Sequence, residues 1–91
     1  MADKDAIGAI EYQLEEGRAF ALGQAGRRVE AAIAALERGG ADRELLLTQA
    51  AEAVWAFLIV REAAGFRNAK AVFEAYRVPP AVIARIGIVR R

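Results

Sequence analysis

Three carboxylates near the start of the chain have a spacing that could do chemistry. Glu11 and Glu15 lie four residues apart, which places them on one face of a helix, and Glu16 lies beside them. Such a group could hold Mg²⁺ or act as acid and base, but carboxylate-bridged metal sites in helical bundles also use histidine, and the chain has none. Arg18, three residues after Glu15, is placed to pair with it. We predict solvated carboxylates without a metal, and carboxylate catalysis remains an alternative.

The rest of the composition removes most other catalytic chemistry. The chain has no cysteine, no histidine and no serine, and Thr48 is its only aliphatic hydroxyl. Disulfides and thiolate metal sites are therefore excluded, and nearly every nucleophile and base pair used in acyl or phosphoryl transfer is missing. We predict that the protein is not an enzyme and uses no cofactor.

Basic residues are concentrated near the end of the chain. Residues 67–91 hold six basic residues and one acidic residue, a net charge of +5, whereas the other residues carry −4. This asymmetry is compatible with a nucleic-acid-binding end, with complementary surfaces in an oligomer, or with a solvated tail. The candidate nucleic-acid contacts are Arg77, Arg85, Arg90 and Arg91.

Residues 71–86 resemble the helix-turn-helix unit of DNA-binding proteins. A short helix, a tight turn and a second helix that carries Val82, Ile83 and Arg85 follow one another. Arg77 stands where such units usually have a turn glycine, and beyond Arg85 the second helix offers little to contact base edges. We favour a simple helical hairpin that closes the core, with nucleic-acid binding as the alternative.

The fold that positions these side chains is predicted to be all-α and to begin with one long helix. Small and apolar residues recur every three or four positions over residues 7–36, which indicates one continuous helical stripe. Gly39-Gly40 suits the end of this helix, which is predicted over about residues 4–38. The stripe keeps its phase through Gly23 and Gly26, although each glycine costs about 1 kcal/mol relative to alanine.

A helix of that length exceeds the diameter of a compact chain of this size. It would be about 52 Å long at 1.5 Å per residue, whereas a compact chain of 91 residues is about 32 Å across. Either the helix breaks between Gly23 and Gly26, or a second copy covers the overhang. We favour the second copy and hence a homodimer. The candidate interface residues are Ile10, Leu14, Gly17, Ala21, Ala25 and Trp55.

Three further helices complete a predicted single domain. They are expected at about residues 42–64, 68–76 and 80–86. Asp42 and Asn68 are suitable caps for the first two, and Gly87 is expected to end the last. Residues 53–60 of the first are apolar on every face, which predicts a central buried helix with contacts on all sides.

The sequence also bears on where the protein resides. The longest apolar run has eight residues, far short of the roughly 18 to 20 that span a bilayer, and the acidic N-terminus is not typical of a secretory signal. Arginine outnumbers lysine eleven to two and alanine is abundant, which indicates a bacterial genome of high GC content. We expect a bacterial, cytoplasmic protein with no membrane partner.

Five segments between about Glu11 and Gly87 carry a recognisable residue pattern, of which the Trp-centred and Val-Pro-Pro segments are the more specific. They are Ala25-Gly26-Arg27-Arg28 with Glu30, Glu52-Ala53-Val54-Trp55-Ala56-Phe57, Arg61-Glu62-Ala63-Ala64-Gly65, Tyr76-Arg77-Val78-Pro79-Pro80 and Arg85-Ile86-Gly87. On these segments the chain resembles a family of short, all-helical bacterial proteins described only as a domain of unknown function. The resemblance implies a compact helical fold and brings no activity, cofactor or site residues.

The residues and the resemblance together lead to one functional prediction. We expect a non-enzymatic, homodimeric structural or protein-interaction module, with an unidentified protein as a further partner. A nucleic-acid-binding protein that uses the C-terminal hairpin is the alternative.

Overall fold

The computed structural model describes the backbone of residues 3–40 and 42–89, and the side chains of residues 13–40 and 42–87. In these ranges it contains four helices and no strand. The helices are α1 (Asp3–Arg38), α2 (Arg43–Ala63), α3 (Ala69–Ala75) and α4 (Pro80–Val89). The predicted all-α class, with one long helix, a core helix and two short helices, is confirmed.

α1 is a single helix of 36 residues. It passes through Gly23 and Gly26 without interruption, so the alternative that the helix breaks there is wrong. At 1.5 Å per residue α1 is about 54 Å long, and the chain measures 59 × 23 × 22 Å. The radius of gyration is 16.5 Å, against about 12 Å for a compact chain of this length. The chain is therefore elongated along α1.

One hydrophobic core joins all four helices. Each helix contributes one fully buried valine, and these are Val29, Val54, Val72 and Val82. α2 packs against both α1 and α4, so it carries the centre of this core. The predicted cap begins α2, because the Asp42 side chain accepts a hydrogen bond from the backbone N–H of Glu44 at 3.0 Å.

A single chain covers only part of the apolar segment 53–60 of α2. Val54 and Phe57 are buried, whereas Ile59 is 47% exposed and Ala56 is also exposed. The sequence predicts contacts on every side of this segment, and one copy of the chain does not provide them. An apolar part of α2 therefore remains in contact with solvent.

The two short helices follow the predicted pattern, with one difference at the end. Asn68 caps α3, since its side-chain oxygen accepts a hydrogen bond from the N–H of Ala71 at 3.2 Å. α4 starts at Pro80 and continues to Val89, so the prediction that Gly87 ends this helix is wrong. A glycine ends a helix where it takes a positive φ, and Gly87 does not take one.

α2 and α3 end in the same backbone motif. In each, the residue after the cap donates a hydrogen bond to the carbonyl three residues back, and the next N–H donates to the carbonyl five residues back, at 2.9 to 3.3 Å. The residue after the cap has positive φ, +95° at Gly65 and +52° at Arg77. Glycine adopts this conformation freely, whereas a residue with a Cβ is destabilised there by about 1–2 kcal/mol.

Exchanging the residue types at these two positions should have opposite effects. Arg77→Gly is expected to raise the free energy of unfolding by about 1 kcal/mol, because it removes the unfavourable φ. Gly65→Arg should lower it by a similar amount, because a Cβ at Gly65 meets no other atom within 4 Å and only the backbone is affected. Urea denaturation of both variants measures the effect, and a change of the same sign in both would contradict this explanation.

Candidate functional site

A mainly apolar depression lies between α1 and the end of α2. It has a volume of about 440 Å³, and we call it the α1–α2 groove. Its lining residues are Gln13, Leu14, Gly17, Arg18, Ala21, Ile59, Val60 and Ala63. All but two of these residues are apolar or glycine, so the groove suits an apolar partner better than a polar ligand.

The groove lies where α2 ends along the longer helix α1. The two helices are joined by a short loop at one end, and at 1.5 Å per residue α2 is about 23 Å shorter than α1. The first part of α1 therefore extends beyond the end of α2. We call residues 3–20 the arm. Side chains of residues 13–20 are all exposed, with Leu14 at 54% and Phe20 at 63%.

Two glycines of α1 have very different surroundings. A Cβ built on Gly26 would lie 2.7 Å from the hydroxyl oxygen of Tyr76, so the close approach of this tyrosine requires a glycine. A Cβ built on Gly17 would meet nothing within 4 Å. Contacts within the chain thus explain Gly26 and leave Gly17 unexplained, although glycine inside a helix costs about 1 kcal/mol relative to alanine.

The candidate interface residues are placed in three different environments. Leu14, Gly17 and Ala21 line the α1–α2 groove. Ala25 is only 7% exposed and belongs to the core of its own chain. The side chain of Ile10 lies outside the described residues. The prediction of a dimer interface at these positions stays a prediction.

Trp55 lines a second, smaller depression next to the first. This depression has a volume of about 200 Å³ and also includes Ile59, which lines both. Nearby, the Arg61 guanidinium lies 5.3 Å from the ring centre of Phe66 and 5.8 Å from that of Phe57. Ile59 therefore connects Trp55 with the α1–α2 groove. The all-round apolar character of segment 53–60 predicts contacts for Ile59, and a single chain leaves it 47% exposed.

Of the candidate nucleic-acid contacts, the structure describes Arg77 and Arg85. Arg77 is exposed at the turn between α3 and α4. Arg85 forms an ion pair with Glu44, and its guanidinium lies 3.5 Å from the Thr48 hydroxyl oxygen. Arg85 thus holds α4 against the start of α2. Arg90 and Arg91 lie outside the described residues.

Two carboxylates of the arm, Glu15 and Glu16, have described side chains. Glu15 and Glu16 are exposed, and the side chain of Glu11 lies outside the described residues. Within residues 13–40 and 42–87, no group of three or more carboxylates is close enough to hold a metal ion. Over the same part of the chain, no helix is both long enough and apolar enough to cross a membrane.

Comparisons with known proteins identify a family and no activity. A family model described as "Family of unknown function (DUF6665)" matches residues 1–91. This confirms the resemblance found from the sequence segments. No curated protein and no solved structure matches the chain.

Proposed function

The chain belongs to the DUF6665 family, and from its own residues we propose a non-enzymatic, homodimeric structural or protein-interaction module. The observation that supports this most directly is an excess of surface. The chain exposes 6600 Å², whereas the scaling law for monomers of its mass gives about 5,200 Å². The excess of about 1,400 Å² exceeds the roughly 800 Å² that each partner buries in a standard interface.

The chemistry of the exposed surface supports the same proposal. Leu14 and Phe20 on the arm and Ile59 on α2 are each about half exposed or more. Leu14 and Ile59 line the α1–α2 groove together, and exposed apolar patches mark sites of interaction with other molecules. Burial of one such side chain contributes about 1.5–3 kcal/mol. A second copy supplies the same apolar surface, as a two-fold symmetric interface requires.

The non-enzymatic part of the proposal rests on residue types. The sequence offers no histidine, cysteine or serine, and its one threonine hydroxyl lies beside Arg85 in the contact between α2 and α4. The exposed carboxylates Glu15 and Glu16 of the arm have no histidine, cysteine or serine in the sequence to act with them. We therefore propose that binding, and not turnover, is the role of this surface.

Light scattering coupled to size-exclusion chromatography tests the dimer. We expect a mass near twice 9.8 kDa for the native chain over a concentration series. Leu14→Glu should raise the dimer dissociation constant at least about tenfold, because it places a charge in the interface. Leu45→Glu is the matched control, since Leu45 is 52% exposed, close to the 54% of Leu14, and lines none of the grooves described above.

Two results would overturn the proposal. One is a monomeric mass for the native chain at every concentration. The other is co-elution with nucleic acid, seen as a nucleic-acid-like ultraviolet absorbance ratio that falls as salt is raised. If Leu14→Glu and Leu45→Glu changed the dimer dissociation constant equally, the protein would still be a dimer, but the arm would not be part of its interface.

A further inference from the structure

The charge of α1 changes sign at Gly17. Residues 3–16 contain five acidic residues and one basic residue, a net charge of −4, and residues 17–28 contain three arginines and no acidic residue, a net charge of +3. We call these the acidic segment and the basic segment. They are consecutive parts of one unbroken helix, so neither can fold back onto the other.

The arginines of the basic segment are exposed and form no ion pair with any described carboxylate. Arg18, Arg27 and Arg28 are exposed, and among the described side chains none of them lies within 4.0 Å of a carboxylate oxygen. Arg28 follows Gly17 by eleven residues, which is about three helical turns, so both lie on the same side of α1. The side of α1 that carries the unexplained glycine therefore also carries unpaired positive charge.

This charge pattern selects one orientation for two copies of α1. In a parallel pair, each acidic segment would lie along the acidic segment of the other copy, and repulsion would oppose association. In an antiparallel pair that crosses at Gly17, each acidic segment lies along the basic segment of the other copy. Opposite charge is then matched twice, once on each side of the two-fold axis.

We propose that the partner in the α1–α2 groove is α1 of a second copy, crossing antiparallel at Gly17; this inference rests on the proposed homodimer. Gly17 lines the groove, and without a Cβ it lets the two helix backbones approach closely. The arm of each subunit extends beyond its own α2. In the dimer it lies along the basic segment of the other subunit. The glycine, the overhang and the change of charge then have one common explanation.

Engineered cysteines test this crossing, because the native chain contains no cysteine that could interfere. Gly17→Cys should give a disulfide-linked dimer under mild oxidation, since the two Gly17 positions meet at the axis. Gln24→Cys is the control. It is exposed and lies two turns further along the same side of α1. In the antiparallel pair the two Gln24 positions are about 21 Å apart, beyond the roughly 7 Å that a disulfide spans.

The possible results separate this inference from the proposed function. Cross-linking of Gly17→Cys at least about tenfold faster than that of Gln24→Cys would support the antiparallel crossing. Equal cross-linking of both would show a parallel pair, and no cross-linking of either in a chain of dimeric mass would show a different interface. Both results overturn the inference and leave the homodimer intact. A monomeric mass for the native chain would overturn both.

Charge reversal provides a second measurement that needs no disulfide. Arg27→Glu/Arg28→Glu should raise the dimer dissociation constant about tenfold or more at low ionic strength, with a smaller effect as salt is added. Arg38→Glu/Arg43→Glu is the matched control, because it makes the same change of charge at exposed positions outside both segments. Equal effects of the two variants would contradict the crossing.

Discussion

Replacing Phe57 by alanine is expected to lower the free energy of unfolding by about 3–5 kcal/mol, the largest effect of any single change considered in this chain. Phe57 is 6% exposed, and its ring meets that of Tyr76 edge to face, with centroids 5.4 Å apart and an interplanar angle of 79°. Arg61 lies near the same ring. The substitution removes a buried ring and leaves a cavity between α1, α2 and the end of α3.

Phe66→Ala is the control for this prediction. Phe66 also lies near the Arg61 guanidinium, at 5.3 Å from its ring centre, but it is 53% exposed. Its removal leaves no cavity, so we expect a loss of about 1 kcal/mol or less. Urea denaturation of both variants at equal protein concentration measures the difference. Equal losses would show that the contact with arginine, and not burial, dominates at Phe57.

Gly26→Ala is expected to lower the free energy of unfolding by about 1–3 kcal/mol, although alanine is the better helix former. The new Cβ would lie 2.7 Å from the Tyr76 hydroxyl oxygen. The tyrosine ring is held by its contact with Phe57, so it cannot move away freely. The loss therefore measures how rigidly the end of α3 is packed against α1.

Removing the hydroxyl should reverse the sign of this effect. In a Tyr76→Phe background the nearest remaining atoms are ring carbons at 3.7 Å, which is ordinary van der Waals contact. Gly26→Ala should then raise the free energy of unfolding by up to about 1 kcal/mol through helix propensity alone. A double-mutant cycle isolates the coupling.

Gly23→Ala supplies the comparison for this cycle, because its Cβ would meet only the flexible end of Arg27, at 3.3 Å. We expect it to be stabilising in both backgrounds. If Gly26→Ala were equally stabilising with the native tyrosine, the close approach would have no energetic consequence.

The parts of the fold that follow from local chemistry could be predicted from the sequence. Asp42 and Asn68 cap their helices by hydrogen bonds to N–H groups two or three residues away, and such contacts depend on neighbouring residues only. The continuity of α1 was also predictable, because its apolar period does not change at the glycines. These features needed no knowledge of how the helices pack.

The features that depend on distant residues could not be predicted. The contact of Gly26 with Tyr76 joins positions fifty residues apart, and the ion pair of Arg85 with Glu44 spans forty-one. Neither residue pair has a sequence signature. The period of α1 places Leu14, Gly17 and Ala21 on one side of the helix, but the contribution of Ile59 to the same groove depends on how α2 packs against α1.

The overhang of α1 also has a consequence for cooperativity. Residues 25–36 of α1 are bound to the core of the chain, whereas residues 13–20 are exposed on their own subunit. Local opening of the arm therefore breaks helical hydrogen bonds and few apolar contacts, while opening of the second half of α1 requires global unfolding. α1 is therefore one continuous helix whose two halves differ in the free energy needed to open them. Amide exchange along it should change steeply near Ala21, and association with a second copy would merge the two halves into one unit.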